Sequence, residues 1–384
     1  MDTRENTSLE EVPGDVLVDI LCGLPLKTLV QCRGVCKEWR DLLSDPIFVS
    51  LHLSRSVTTL ASGLPPDCLL IEHSSRDNDV MVTKLGMELD FHGAASCNGL
   101  ICSWNDREKR VSVSNPIIGK RITLPESPKE HGISDFKPRL GIGISPETSL
   151  YKVLKIQSRR QYGSETIWAA EICTLGVGTV TWRNIADVPQ KCYFSVALDG
   201  TFFNGAFHFI LTPDSPELNL YICSFDFDSE EFRSNLELPR PPLDNEEYHA
   251  WLGLGVLTDC LCVSIISGLG DGNPDIEVWV MKEYGVTESW TKVFVLEYPM
   301  ENLWSAHGFK IIKYRKNEEI ICFIDDNIYS YDLKYANFRF LETIGTHSKF
   351  YALLYVPSFV WLEDVAVGES SNAIEYCLSE LHIQ

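Results

Sequence analysis

From residue 93 to residue 345 one order of segments returns five times. Each return carries three short runs rich in Val, Ile, Tyr, Phe and Trp, parted by turns of Gly, Asp, Asn and Pro. The runs fall at 100–104, 110–116 and 120–125, then at 151–156, 167–175 and 181–189. They continue at 205–211, 220–227 and 232–239, at 260–266, 276–282 and 289–299, and at 319–325, 328–334 and 338–345. The third run closes at Pro125, Pro189, Pro239, Pro299 and Gly345, so the intervals are 64, 50, 60 and 46 residues by subtraction. A period near 50 residues built from strands marks the blades of a kelch-like β-propeller. A further run fits before each unit, at 93–97, 139–144, 194–198, 250–257 and 309–314, which gives five four-stranded blades. Runs at 68–73 and 80–85 are left over at one end and 350–362 at the other. Joined, they predict a sixth blade made from both ends of the chain, which closes the ring and removes exposed sheet edges. An open β-sandwich leaves the repeat order unexplained and ranks second. The expected fold is mainly β, with six blades and a small all-α segment in front.

That segment is Val12–Phe48. Pro13 opens a helix at a position where its missing N–H costs nothing. Val16, Leu17, Ile20, Leu21 and Leu24 then form a stripe at helical period, ended by Gly23 and Pro25. Leu26, Leu29 and Val30 make a second short stripe, stopped near Gly34, and Val35, Trp39, Leu42 and Leu43 a third. Asp45-Pro46 reads as an N-cap and first-turn proline, starting a fourth helix that carries Phe48 and Leu51. Each helix is shorter than the roughly 12–15 residues an isolated helix needs in water, so its stability must come from packing or from a partner. Residues 12–48 hold four Lys and Arg against five Asp and Glu, a balance of 4 − 5 = −1 in a chain of net charge −21. A nearly neutral, apolar segment of this size suits a docking surface. The alternative is an ordinary helical cap on the domain behind it.

With Leu24-Pro25, Val35-Cys36-Lys37, Trp39-Arg40 and Asp45-Pro46-x-Phe48, this segment resembles an F-box. It departs from the family pattern at Val12-Pro13, where Leu-Pro is usual, and at Gly34, where a larger residue is usual. The resemblance implies that Pro13, Ile20, Leu21, Leu24, Pro25, Leu26, Leu29, Val35, Cys36 and Trp39 lie in or beneath a surface that docks a Skp-type adaptor, and through it cullin and RING subunits. The long C-terminal part is similar to the F-box-associated domain of plant F-box proteins. The resemblance rests on Ser-Cys-Asn-Gly-Leu-Ile-Cys (96–102), Asn115-Pro116, Gly-Ile-Gly-Ile-Ser-Pro (141–146), Trp-Arg-Asn-Ile (182–185) and Phe-Asn-Gly-Ala-Phe-His (203–208). That family is implied to be kelch-like and to recognise protein substrates. The expected organisation is an F-box at 12–53, a linker at 54–66, the propeller at 67–362 and an acidic tail at 363–384. A helical turn is possible near 370–382.

Composition narrows the function. The balance of 33 Lys and Arg against 54 Asp and Glu argues against nucleic acid and against anionic membranes, and mildly favours a basic protein partner. Plain solubility explains the same charge. No window approaches 18 uninterrupted apolar residues, and the N-terminus lacks a signal-peptide pattern. The 13 cysteines form no C-x-x-C motif, and several sit in apolar runs, so reduced thiols in the cytosol or nucleus are expected. The nine histidines show no zinc spacing, and neither a P-loop nor a G-x-S-x-G elbow occurs. Gly268–Gly272 is glycine-rich but precedes a strand rather than a helix, which makes a turn the better reading than a phosphate cradle. Trp182 and Trp290 read as packing between blades. No catalytic residue, metal ligand or cofactor is expected. A radical-copper oxidase is conceivable on grounds of fold alone.

With the four strands of a blade named A to D, the B–C and D–A connections leave one end of the propeller. That end carries the longer loops, including 126–138, 158–166, 212–219, 240–248, 267–275 and 300–308. Long loops on a rigid scaffold are where recognition usually sits. Arg159, Arg160, Tyr162, Asp271 and Trp304 are the candidate target-binding residues, against the blander reading of solvated arginines and a packed tryptophan. The sequence thus points to a non-catalytic receptor that brings a protein substrate to a Skp–cullin–F-box ubiquitin ligase. An F-box scaffold or inhibitor outside a ligase is the alternative, and an enzyme comes third.

Overall fold

In the computed structural model the structure describes residues 12–56, 58–64, 67–73, 80–91, 93–127, 137–160, 166–176, 180–190, 192–194, 200–213, 220–239, 252–267, 275–297, 309–315, 319–324, 327–343, 352–362 and 374–376. Six antiparallel sheets form a β-propeller, preceded by four helices. Blade I runs from Ala95–Cys97 through Leu100–Asn105 and Arg110–Asn115 to Lys120–Thr123. Blade II holds Arg139–Ile144, Tyr151–Arg160, Thr166–Thr174 and Trp182–Ile185. Blade III holds Ala206–Pro213, Tyr221–Asp226 and Glu231–Glu237. Two short strands, Cys192–Phe194 and Thr201–Phe203, share its A position, both paired with Ala206–Pro213. Blade IV is Leu252–Leu257, Cys260–Ser267, Asp275–Met281 and Trp290–Glu297, and blade V is Phe309–Arg315, Glu319–Ile324, Asn327–Asp332 and Asn337–Thr343.

Blade VI closes the ring from both ends of the chain. Its A strand, Ala352–Tyr355, pairs with Thr59–Leu64, followed by Asp67–His73 and Val80–Leu85. Closure from the leftover runs matches the sequence reading, but the B strand comes from within the stretch read as a linker at 54–66. Leu60 and Ala61 are both buried there, so alternation, the usual mark of a strand, is missing. The strand exists because it finds partners on both sides, one of them nearly 300 residues away. The tail also differs from expectation. Ile374–Tyr376 is a strand, not a helical turn, and pairs with Lys120–Ile122 as a fifth strand on blade I. Of the A run expected at 194–198, only Phe194 lies within the described residues.

The turns follow from local chemistry. Asn105, Asp226 and Asp332 each end a strand, and each side-chain oxygen accepts hydrogen bonds from the two backbone N–H groups two and three residues on. The fourth turn residue then enters the left-handed region, with φ 55° at Lys109, 57° at Glu230 and 49° at Ala336. This is a type I turn closed by a left-handed residue, a common four-residue hairpin loop.

Apolar layers fill every seam between neighbouring blades. Trp182 and Trp290 lie in these seams. Their indole N–H groups donate to the Pro125 carbonyl at 2.9 Å and the Glu237 carbonyl at 3.1 Å, each at the end of the preceding blade. The same position thus ties blade II to blade I and blade IV to blade III.

Candidate adaptor-docking surface and recognition face

The four helices are α1 (Gly14–Cys22), α2 (Leu26–Cys32), α3 (Lys37–Leu43) and α4 (Pro46–Arg55). The Asp45 carboxylate accepts the Ile47 N–H at 2.8 Å and starts α4, while the Cys36 sulfur accepts the Trp39 N–H at 3.5 Å and starts α3. Asp19 of α1 pairs with Arg55 of α4 at 2.9 Å.

The ten residues expected at the docking surface separate into layers. Leu21, Leu26 and Leu29 are buried and support the helices from beneath. Leu24, Cys36 and Trp39 are half-buried, whereas Pro13, Ile20, Pro25 and Val35 face solvent. Ile20 is 53% exposed and Val35 66%, large values for aliphatic side chains on a packed helical layer. Val16 at 44% and Ile47 at 78% belong with them and were not singled out. The sequence signal for Val16 was present: it lies one turn before Ile20 on α1, so one apolar stripe serves two faces.

The buried side of the helices rests on the propeller itself. Leu21, Leu29, Leu43 and Phe48 share one apolar cluster with Leu70, Ile101, Ile117, Tyr355 and Phe359. α4 ends next to the start of blade VI's B strand. Phe359 sits 6.3 Å from the Phe48 ring and meets the His52 ring edge-on at 5.2 Å, and the Ser56 hydroxyl donates to the Pro357 carbonyl at 3.1 Å. These contacts, with Ile117 and Ile118 between blade I's C and D strands, place the helices at the A–B and C–D end of the propeller. The short helical segment therefore covers its apolar side with its own propeller while keeping a second apolar face outward.

The B–C and D–A end lies on the opposite side, away from the helices. On it Lys137 bridges Asp90 at 2.7 Å and Asp106 at 2.6 Å, and the Trp104 indole N–H donates to Asp106 at 3.1 Å. The Lys137 hydrogen bond is the chief cause that holds the Asp106 carboxyl below its ordinary range. Glu88, Asp90, Trp104, Asp106, Arg107 and Arg121 line a polar pocket of about 290 Å³ here. A second cavity, of about 420 Å³, follows the propeller axis between Ala94, Phe202, Leu254, Lys310 and Leu353 on the inner strands.

Arg159 and Arg160 lie at the end of blade II's B strand, opposite Ile167 and Thr166. Tyr162, Asp271 and Trp304 fall outside the described residues. Trp104, Asp106 and Lys137 were missed because loop length was the guide, and the blade I hairpin carrying the first two is short. Its Trp-Asn-Asp run was the available signal.

Burial raises the Cys173 and Cys262 thiols to about 12 and those of Cys97, Cys102 and Cys322 higher still. They stay protonated, which removes them as nucleophiles. Among the described residues no three His, Cys, Asp or Glu side chains gather as a metal site, and no helix is long and apolar enough to cross a membrane.

The geometry of a helical docking layer on one end of a six-bladed propeller agrees with comparison to known proteins. The profile of the F-box associated beta propeller domain matches residues 67–362, and the chain belongs to this family. An F-box-like profile matches residues 9–54. Similar proteins include "F-box protein At3g07870" from Arabidopsis thaliana, 26% identical across 92% of this chain and 93% of that one. From the same plant, "F-box/kelch-repeat protein At3g23880" is 28% identical across 81% of this chain and 87% of its own, and "F-box protein CPR1" is 28% identical across 91% and 88%. An F-box joined to such a propeller is the build of a substrate-recognition F-box protein, with a Skp-type adaptor and a substrate as the implied partners.

Proposed function

We propose that this protein is the substrate receptor of a Skp–cullin–F-box ubiquitin ligase and carries no catalysis of its own. The observation that carries this reading is the division of the F-box helices. One side is buried on the propeller, and the other leaves Val16, Ile20, Val35 and Ile47 in solvent. Exposed aliphatic side chains on a helical layer are suited to an apolar groove on a partner. The adaptor occupies that side and links to cullin and RING subunits. The target binds at the B–C and D–A end, held near the ubiquitin-charged enzyme at high effective concentration. Cytosol or nucleus is the compartment we propose, consistent with reduced thiols.

The test is co-purification with a Skp-type adaptor and cullin. Wild type is expected to capture both, and an Ile20→Asp/Val35→Asp variant neither, with unchanged thermal unfolding. Capture of adaptor without cullin would instead favour a scaffold or inhibitor outside a ligase. Adaptor capture undiminished in the variant would overturn the docking surface.

A further inference from the structure

The segment Val356–Leu362 follows the last strand of blade VI and belongs to no sheet. It crosses the A–B and C–D end of the propeller directly under the helices. The Pro357, Ser358 and Val360 carbonyls and the side chains of Ser358, Phe359 and Trp361 make contacts to the propeller or the helices, while the Trp361 indole N–H has no hydrogen-bond partner among the described residues. On the propeller side, the Ser358 hydroxyl donates to the Asn98 carbonyl at 2.7 Å. The Asn115 amide donates to the Ser358 carbonyl at 3.1 Å and to the Val360 carbonyl at 2.9 Å, while its oxygen accepts the Ile117 N–H at 3.0 Å. Just before the segment, the Tyr355 hydroxyl donates to the Gly99 carbonyl at 3.0 Å. Gly99 has φ +81°, and a Cβ there would overlap Ser358. On the helical side, Phe359 is fully buried against Phe48 and His52. Two cations meet the Trp361 ring, the Arg33 guanidinium of the F-box 4.7 Å from its centroid and the Lys120 ammonium of blade I at 4.5 Å.

Two of the sequence motifs thereby acquire a use that recognition of a target does not explain. Asn98-Gly99 and Asn115-Pro116 form the seat of this segment. Asn115 spends both of its amide hydrogens on it, and Gly99 supplies the space for it.

We infer that Val356–Leu362 is a strap that clamps the F-box helices to the propeller, with Phe359 and Trp361 as the positioning residues. The strap fixes the adaptor-docking side at a set orientation to the recognition face on the opposite end. Its packing needs no adaptor, and only its purpose rests on the receptor reading. Orientation matters for transfer because a target held in a fixed place is presented at high effective concentration, whereas a hinged receptor spreads it over a larger volume. The two cation–ring contacts of Trp361, one to the F-box and one to blade I, cross the boundary between the two parts, as a clamp requires.

The experiment is hydrogen–deuterium exchange on the full chain without adaptor, followed by titration with a purified Skp-type adaptor. In wild type the amides of α2 and α4 are expected to exchange as slowly as those of blade VI. In a Phe359→Ala/Trp361→Ala variant they are expected to exchange about tenfold faster or more, while blades III–V keep their wild-type protection. Adaptor affinity should stay within about twofold, because Val16, Ile20, Val35 and Ile47 do not touch the strap. Trp361→Phe, which keeps a ring beside the two cations, should restore most of the protection lost in Trp361→Ala. Unchanged exchange in the double variant overturns the clamp. If that variant loosens blades III–V as well, Arg33→Gln decides: faster exchange confined to the helices supports the clamp, and no change overturns it. A wild-type chain that binds no adaptor would sink the receptor reading alone, since exchange is measured on the free chain.

Discussion

At the scale of single residues, burial separates side chains that stabilise from side chains that bind. Leu29 is fully buried and Val35 two-thirds exposed, although both are apolar and six positions apart. Leu29→Ala is expected to cost about 2–5 kcal/mol in chemical denaturation, as truncation in a packed core does. Val35→Asp is expected to stay within about 0.5 kcal/mol of wild type and still lose the adaptor. Equal destabilisation by the two would remove Val35 from the surface. His208 offers a test by pH. It is fully buried in blade III, its ring bonded to the Thr201 carbonyl at 3.3 Å and the Tyr284 hydroxyl at 2.9 Å. Burial lowers its pKa from 6.5 to about 4. The unfolded chain therefore takes up this proton first, and His208 contributes stability in full above pH 6.5. That contribution is lost as pH falls toward 4, and the difference amounts to roughly 3 kcal/mol. A His208→Gln variant should show a stability profile flatter than wild type by about this amount between pH 7 and pH 4. Parallel profiles would contradict the burial of a neutral ring.

At the scale of elements, the two ends of the chain carry unequal weight. Removing 352–384 takes away the inner strand of blade VI and the strap, so the ring opens and exposes unpaired edges, and aggregation is expected. Removing 363–384 takes, among the described residues, the short strand Ile374–Tyr376 from the outside of blade I. The edge it uncovers carries Lys120 and Arg121, which oppose edge-to-edge pairing, and a soluble chain is expected. Equal solubility of the two truncations by light scattering would contradict closure through blade VI. Asn115→Ala leaves two strap carbonyls without their donor, and each buried orphan costs about 1–3 kcal/mol, so a clear fall in the melting midpoint is expected. The blades were legible because most of their strands are apolar runs bounded by turn residues and return in a fixed order. Thr59–Leu64 was not, since its evidence is a pairing partner far along the chain rather than any local pattern. Ile374–Tyr376 is too short for any period to register. The strap lies inside the run at 350–362 that was read as part of blade VI, because its apolar residues look like strand; of the described residues there, Ala352–Tyr355 pair and 356–362 do not. Its other trace in the sequence was the pair of Asn motifs that receive it.

At the scale of the whole molecule, the helices sit at one end of the ring and the strand ends that lead into the long connections point to the other. The apolar stripes of the helices were readable from the sequence because a helical stripe reports its own faces. The end proposed for recognition was readable only as a direction, from loop lengths and strand alternation. Arg159 and Arg160 fall at the end of a hairpin strand, while the polar pocket around Trp104, Asp106 and Lys137 was overlooked. Replacing 158–166 and 267–275 with Gly-Ser turns is expected to leave adaptor binding and cooperative unfolding intact while changing the proteins that co-purify. An unchanged set of partners would move recognition away from these two loops.

The strap also orders events in time. Ser56 waits for Pro357, 301 residues further along. At about 5–20 residues per second, a ribosome needs on the order of 15–60 s to supply that distance. Until then the helices have only the part of their platform that Leu70, Ile101 and Ile117 supply, and three strands of blade VI lack their innermost neighbour. A chain broken off anywhere in between carries the helices without the strap that holds them at a set orientation. Residues far along the chain thus fix the placement of residues made long before them, and an unfinished chain leaves its helices unclamped.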